Sequence, residues 1–386
     1  MKKTLLFLFA MILGLPLCAQ NQKEWTIMVW LSAKNNLATE AIADINEMES
    51  VGSTDQFNIV TELSYKGKQP ADKAGIPSSR RLIVKDDDPN AVTSPAVVVH
   101  NRFSMASGSN LADFINWSKT NYPAKKYMLV IWGHGGGWLG TSGGSSLFSG
   151  NLSIREVRGA LKKTGGADIV FFDACNMQEI TVVYALRDMT KYVIASQETM
   201  PGFGLDYHAL LSSLAEKPAM SPLFLADATY SAFMQQFRTP SPEAQVYLAK
   251  QTITLSVLDM AKLPAFTEAV KGWTEAMLKG NQNGLYMRTL PKSRQFGDGV
   301  YHDLINLIYN ISSDSTKPLV RERANVVLES ARDFILLAGA LGRGREDGGI
   351  NGVSIYSPEG AVPTRYAFTD WSKATDWISL IDNTVH

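Results

Sequence analysis

Cysteine is nearly absent: the 386 residues contain only two, Cys18 and Cys175. Excess charge of either sign is absent, with 37 Lys and Arg against 37 Asp and Glu, so nothing draws the chain toward nucleic acid or an anionic membrane. Past the N-terminus no stretch approaches the ~20 apolar residues a membrane-crossing helix needs. Internal repeats, heptad runs and low-complexity blocks are missing too. What remains, 45% hydrophobic and 19% charged, suits a soluble globular protein long enough for one large domain or two.

The N-terminus is more specific. Lys2 and Lys3 precede an apolar run from Leu5 to Leu15, then Pro16 and small or polar residues. A basic start, an apolar stretch too short to span a bilayer and a small-residue cleavage zone make a secretory signal. Residues 1–19 are read as that signal, cleaved after Ala19, and the mature protein as exported, periplasmic or secreted. A lipid anchor at Cys18 is the weaker alternative, because Leu17 stands where a small residue is expected. Cys175 is then left alone in a compartment that favours disulfides, either as an inert core thiol or as a reactive one.

Strand-like and helix-like segments alternate along the chain, which argues for α/β with a largely parallel sheet. Trp25–Leu31, Phe57–Tyr65 and Arg80–Lys85 read as strands, with helices through Ala41–Met48 and before Tyr122. Tyr127–Trp132 is a short apolar run suited to a strand buried on both faces. A loop follows in which seven of the nineteen residues from Gly135 to Ser153 are glycine. Ser153 and Glu156 then form a capping box that opens a helix, and Gly165-Gly166 stops it. Asp168–Asp173 is a second buried strand, with a helix expected from Asn176 to about Arg187. After a strand at Val193–Ser196 come helices at Tyr207–Leu214 and Leu223–Phe237. The composition changes at Thr239–Pro242, which marks a boundary between a domain at 20–240 and a C-terminal region at 241–386. That region reads as a strand at Ile253–Leu258, a helix at Phe266–Leu278, a long helix at Leu319–Leu341 and a strand at Gly352–Tyr356.

The strand–helix–strand unit places two reactive side chains. His134 lies two residues past the first buried strand and Cys175 two past the second. A right-handed crossover puts both strand ends on one edge of the sheet, where open α/β sheets bind ligands. Neighbouring strands are ~4.8 Å apart, so imidazole and thiol can meet there. Proton acceptance by His134 yields the thiolate, the form that attacks a carbonyl carbon. His100, His208, His302 and His386 follow an apolar run, fall in helical patterns or end the chain, and are read as surface or packing residues. Only His134 sits between glycines, in WGHGGGW. Glycine permits close backbone approach, and the amides of Gly135 and Cys175 can point at a tetrahedral oxyanion. Gly136 and Gly137 serve equally well as residues that bend the loop.

At this point the residues match a family. LVIWGHGGGW at Leu129–Trp138 and DIVFFDAC at Asp168–Cys175 resemble the histidine and cysteine motifs of clostripain-like peptidases. The resemblance extends through WTIMVWLSAKNNL, LRDMTKYVIASQET and PGFG, and weakly to NGVSIYSP. It implies a caspase-like αβα sandwich with a mostly parallel central sheet, carried by residues 20–240, and a helix-rich C-terminal region packed on that core. It also implies a Cys–His dyad without an obligatory third member, oxyanion amides from Gly135 and Cys175, and cleavage of peptide or protein substrates after lysine or arginine. No cofactor is required by it, and calcium is left open.

A basic preference needs a pocket carboxylate. Asp173, two residues before Cys175, is the first candidate, with capping of the expected helix at Asn176 as its rival role. Glu198 and Asp206 are further candidates. Three departures stand out. Lys34 replaces a common acid in AKNNL, and Met200 replaces another before Pro201-Gly202. From Tyr127 to Ile154 there is no lysine or arginine for self-cleavage, and Arg155 and Arg158 fall in the expected helix, so a single-chain enzyme, or cleavage after another residue type, is expected; a monomer is expected too. The alternatives are a degenerate peptide-binding scaffold and transpeptidation through the same acyl-enzyme.

Overall fold

The computed structural model describes residues 22–65, 78–88, 91–100, 103–146, 149–344 and 348–382. The signal at 1–19, Cys18 and His386 lie outside the described residues. In chain order the strands are β1 Lys23–Ala33, β2 Phe57–Tyr65, β3 Ser79–Leu82, β4 Ala96–Val99, β5 Ala124–Trp132, β6 Thr141–Ser146 and β7 Ser149–Leu152. They continue with β8 Ile169–Asp173, β9 Tyr192–Ala195, β10 Thr252–Asp259, β11 Gln295–Phe296, β12 Tyr301–Asp303, β13 Ile335–Gly342 and β14 Ser354–Tyr356.

Nine of these form one sheet in the order β13-β10-β9-β8-β5-β1-β2-β3-β4. Its centre, from β9 through β8, β5 and β1 to β2, is parallel. Antiparallel strands close both sides. Successive residues of a strand point to opposite faces, and β1 shows the result. Met28 and Trp30 enter one core, while Trp25, Ile27, Val29 and Leu31 enter the other. Helices cover both faces, giving the sandwich that a doubly buried parallel sheet requires.

The second core is roofed by helices Ala38–Val51, Tyr207–Glu216 and Pro222–Gln235. The first takes helices Gly108–Asn121, Ile154–Thr164 and Leu263–Lys279 among others. The capping box at Ser153 and Glu156 is formed, and Gly165 ends its helix at φ 77°. The strands β10 and β13, from the last third of the chain, extend the same sheet beyond β9.

Two expected helices are corrected. The segment after Cys175 is a turn, with Asn176 at φ 59°, and the helix starts only at Ile180 with Glu179 as its N-cap. The long helix at 319–341 stops at Phe334, and Ile335–Gly342 is strand β13. An uncharged Leu/Ala run carries no period that separates helix from strand. Gly339 and Gly342, the latter at φ 98°, tip it to the sheet, where β10 supplies backbone partners. His302 is likewise not helical; it lies buried in β12, with Nδ1 2.7 Å from Ser293 Oγ, and burial lowers its pKa to about 4. The glycine-rich loop also holds a hairpin, β6 with β7.

Candidate active site

Three neighbouring parallel strands, β1, β5 and β8, end at one sheet edge, with Leu31 beside Trp132 and Trp132 beside Asp173. The chain leaving β5 carries His134, and the chain leaving β8 carries Cys175. The expected adjacency of the two strands is therefore present. Gly133, at φ 137°, donates its N–H to Asp173 O at 3.1 Å and so carries the β5–β8 ladder to the residue before His134. A Cβ there would also press on Ser32 of β1 at 3.3 Å. Gly135 is tighter still: a Cβ would stand 2.8 Å from Cys175 N and closer to its carbonyl oxygen. Gly133 needs glycine chiefly for its conformation, and Gly135 for space.

Cys175 is held from behind. Asn176 N donates to Glu198 O at 3.1 Å, and Gln178 N to Ser196 O at 2.9 Å, lacing the turn to the chain leaving β9. Gln178 Nε2 donates to Ser256 Oγ on β10 at 2.8 Å, and Ser354 N of β14 donates to Gln178 O at 2.9 Å. Glu179, fully buried, accepts from Thr181 N and Tyr356 N at 3.0 and 3.3 Å, and burial raises its pKa to about 7.

Burial pushes the Cys175 thiol up; Glu198 and Asp173 add to this, and backbone contacts to Met200 and Gly135 oppose it. Burial also pushes His134 down. Both shifts favour the uncharged forms, thiol and neutral imidazole, over thiolate and imidazolium. Among the described residues the imidazole has one hydrogen-bond partner: Nε2 lies 2.8 Å from Asn36 Oδ1. The thiol Sγ is 3.9 Å from Met200 O.

The three candidate carboxylates occupy different settings. Asp173 is buried and caps no helix. Its Oδ2 accepts from Tyr207 Oη at 3.0 Å and Leu205 N at 3.4 Å, and burial raises its pKa to about 6 despite both bonds. Gly204 lies against it; a Cβ there would be 3.0 Å from Oδ2. Glu198 accepts from Thr199 N at 2.9 Å, and burial raises its pKa. Asp206 accepts from Ala209 N at 2.7 Å as the N-cap of helix Tyr207–Glu216. Met200 is buried in the second core.

The sequence reading missed the acids behind Asp173. Asp44 accepts from Trp132 Nε1 at 2.6 Å, and its pKa is pushed far up by burial and then by the Asp173 charge. Glu47 accepts from Tyr207 N at 2.9 Å, and burial raises its pKa to about 7. The signal was present: Asp44 shares the buried side of its helix with Ala41, Ile45 and Met48. Among the described residues no group of three or more His, Cys, Asp or Glu is placed to hold a metal ion, and Lys34 is exposed.

A thiol and an imidazole on adjacent loops, at the edge of a parallel sheet between two helical layers, suit a cysteine peptidase of caspase-like fold. Residues 29–383 match the sequence model of the clostripain family, and the chain belongs to that family. It is 20% identical to clostripain of Hathewaya histolytica over 428 aligned positions, covering 94% of this chain and 80% of that protein. A secreted C11 cysteine protease from Bacteroides thetaiotaomicron, solved with an irreversible peptide inhibitor, superposes with a TM-score of 0.70 at 22% identity. The match covers 92% of this chain and 99% of the other. An inactive zymogen C11 protease from Parabacteroides distasonis gives 0.67 at 18% identity, covering 92% and 98%. The protein is a cysteine-type endopeptidase. No helix among the described residues is long and apolar enough to cross a membrane.

Proposed function

We propose that this enzyme hydrolyses peptide bonds after arginine or lysine, outside the cytoplasm, through an acyl-enzyme on Cys175. The observation that carries the reading is the adjacency of β5 and β8, with Gly135 and Cys175 backbones in contact. His134 takes the thiol proton as Sγ attacks the scissile carbonyl carbon. The Gly135 and Cys175 amides receive the oxyanion. The same proton passes to the leaving amine, and water, deprotonated by His134, then cleaves the thioester. Asp173, backed by Asp44 and Glu47, supplies negative charge for a basic side chain. Glu198 contributes at the rim, whereas Asp206 serves its helix. The enzyme works as a monomer, without cofactor or nucleic acid.

The test is a peptidyl electrophile ending in arginine. One covalent adduct is expected on the native protein and none on Cys175→Ala. An unlabelled native protein under reducing conditions would sink the proposal. A randomised peptide library then reads specificity, and cuts after neutral residues would reject the basic preference alone.

A further inference from the structure

The chain leaving β1 brings a third group to the same edge. In space the strands run β1, β5, β8, so the residues that follow them stand in the order Asn36, His134, Cys175. Asn36 is fixed by its neighbour. Asn35 Nδ2 donates to Ser32 O at 2.9 Å, and Leu37 N donates to Asn35 Oδ1 at 2.9 Å, an Asx turn that closes the loop before helix Ala38–Val51. The turn presents Asn36 to the imidazole, with Oδ1 2.8 Å from Nε2.

We propose that Asn36 is the positioning residue of the site, making a Cys175–His134–Asn36 relay, and that Nδ1 of His134 is the base. An amide oxygen only accepts, so the bond requires the proton on Nε2. A neutral imidazole with that proton has its lone pair on Nδ1, the one nitrogen left for the thiol. The bond also halts rotation of a half-buried ring that has no other partner among the described residues. As the imidazole charges during attack, Nε2–H becomes a stronger donor and the bond tightens. Asn36 has no charge of its own and so leaves the resting pair neutral, in keeping with the downward shift of His134.

The inference rests on the Cys175–His134 chemistry proposed above, and its first readout does not. Nitrogen-15 spectra of histidine-labelled native enzyme, assigned against His134→Gln, should show the Nε2–H tautomer near neutral pH. The Nδ1–H tautomer would overturn the assignment even if the enzyme were fully active. Conversely, the expected tautomer in a protein inert to electrophiles would reject the proposed Cys175–His134 chemistry and leave the Asn36 bond standing. In kinetics, Asn36→Ala should lower kcat about 10- to 100-fold with KM and melting temperature little changed, since Asn36 is exposed and holds ring geometry. Asn36→Asp should retain more activity and move the pH-profile limb that reports His134 upward, because a carboxylate favours imidazolium. An alanine variant with native kcat and an aspartate variant with an unshifted profile would show that Asn36 does no positioning.

Discussion

Gly135 and Cys175 touch through their backbones, with no room for a methyl group between them. Gly135→Ala must therefore move one loop away from the other. Overpacking of this kind costs about 1–3 kcal/mol, and here the displaced groups are the two proposed oxyanion donors. A melting curve should show only that modest loss, while kcat/KM should fall by about 100-fold or more. Native activity in the alanine variant would mean that these amides are not the donors.

The resting thiol should be slow. With Cys175 pushed up and His134 pushed down by burial, no preformed ion pair holds the sulfur ionised. Alkylation by iodoacetamide should rise steadily with pH, past the range where an ordinary thiol levels off. A rate plateau beginning well below neutral pH would reveal a thiolate already present.

Asp173 should trade stability for specificity. Its carboxyl titrates at about 6 in the fold against 3.8 when unperturbed, so the folded state holds the proton more tightly. Between those values stability falls as pH rises, and above about 6 the whole penalty is present. Asp173→Asn keeps an acceptor for Tyr207 and removes the charge. It should stabilise the protein by up to about 3 kcal/mol at pH ~8 and have little effect near pH ~4. Its kcat/KM for arginine substrates should collapse, and in the native enzyme KM for such substrates should climb as pH drops through about 6. Denaturation at the two pH values and a KM profile check both halves.

The purified enzyme should remain one chain between His134 and Cys175. Arg155 and Arg158 lie in the capped helix Ile154–Thr164, and Arg158 Nη1 is bound to Arg187 O at 3.1 Å. Proteases cut extended, mobile chain rather than a packed helix. N-terminal sequencing or intact mass settles it; fragments beginning at Glu156 or Gly159 would refute it.

The central sheet and the loops bearing His134 and Cys175 were legible because β5 and β8 are apolar runs bounded by glycine and by a capping box, each a local signal. Asp173 was legible as a residue but not as an environment. Its titration is set by burial and by bonds from Tyr207 and Leu205, and its charge in turn raises Asp44 and Glu47, residues from segments up to 129 positions away that meet only in the fold. Strand β13 was hidden for a related reason: Leu and Ala suit a helix as well as a strand, and β10 decides. Asn36 carried a weak local sign, the Asn35-Asn36 pair after a buried strand, whose meaning depends on β1 being the neighbour of β5.

The turn after Cys175 is fastened to β10 and β14, which are made long after it. Synthesis order thus becomes an assembly order. A nascent chain ending before residue 250 holds both His134 and Cys175, but Gln178 and Glu179 have yet to meet Ser256, Ser354 and Tyr356, and β9 still has an open edge. The Cys175 loop gains its backing only as the last third arrives, so any competence to cut proteins that depends on it comes late and does not precede the completed sheet.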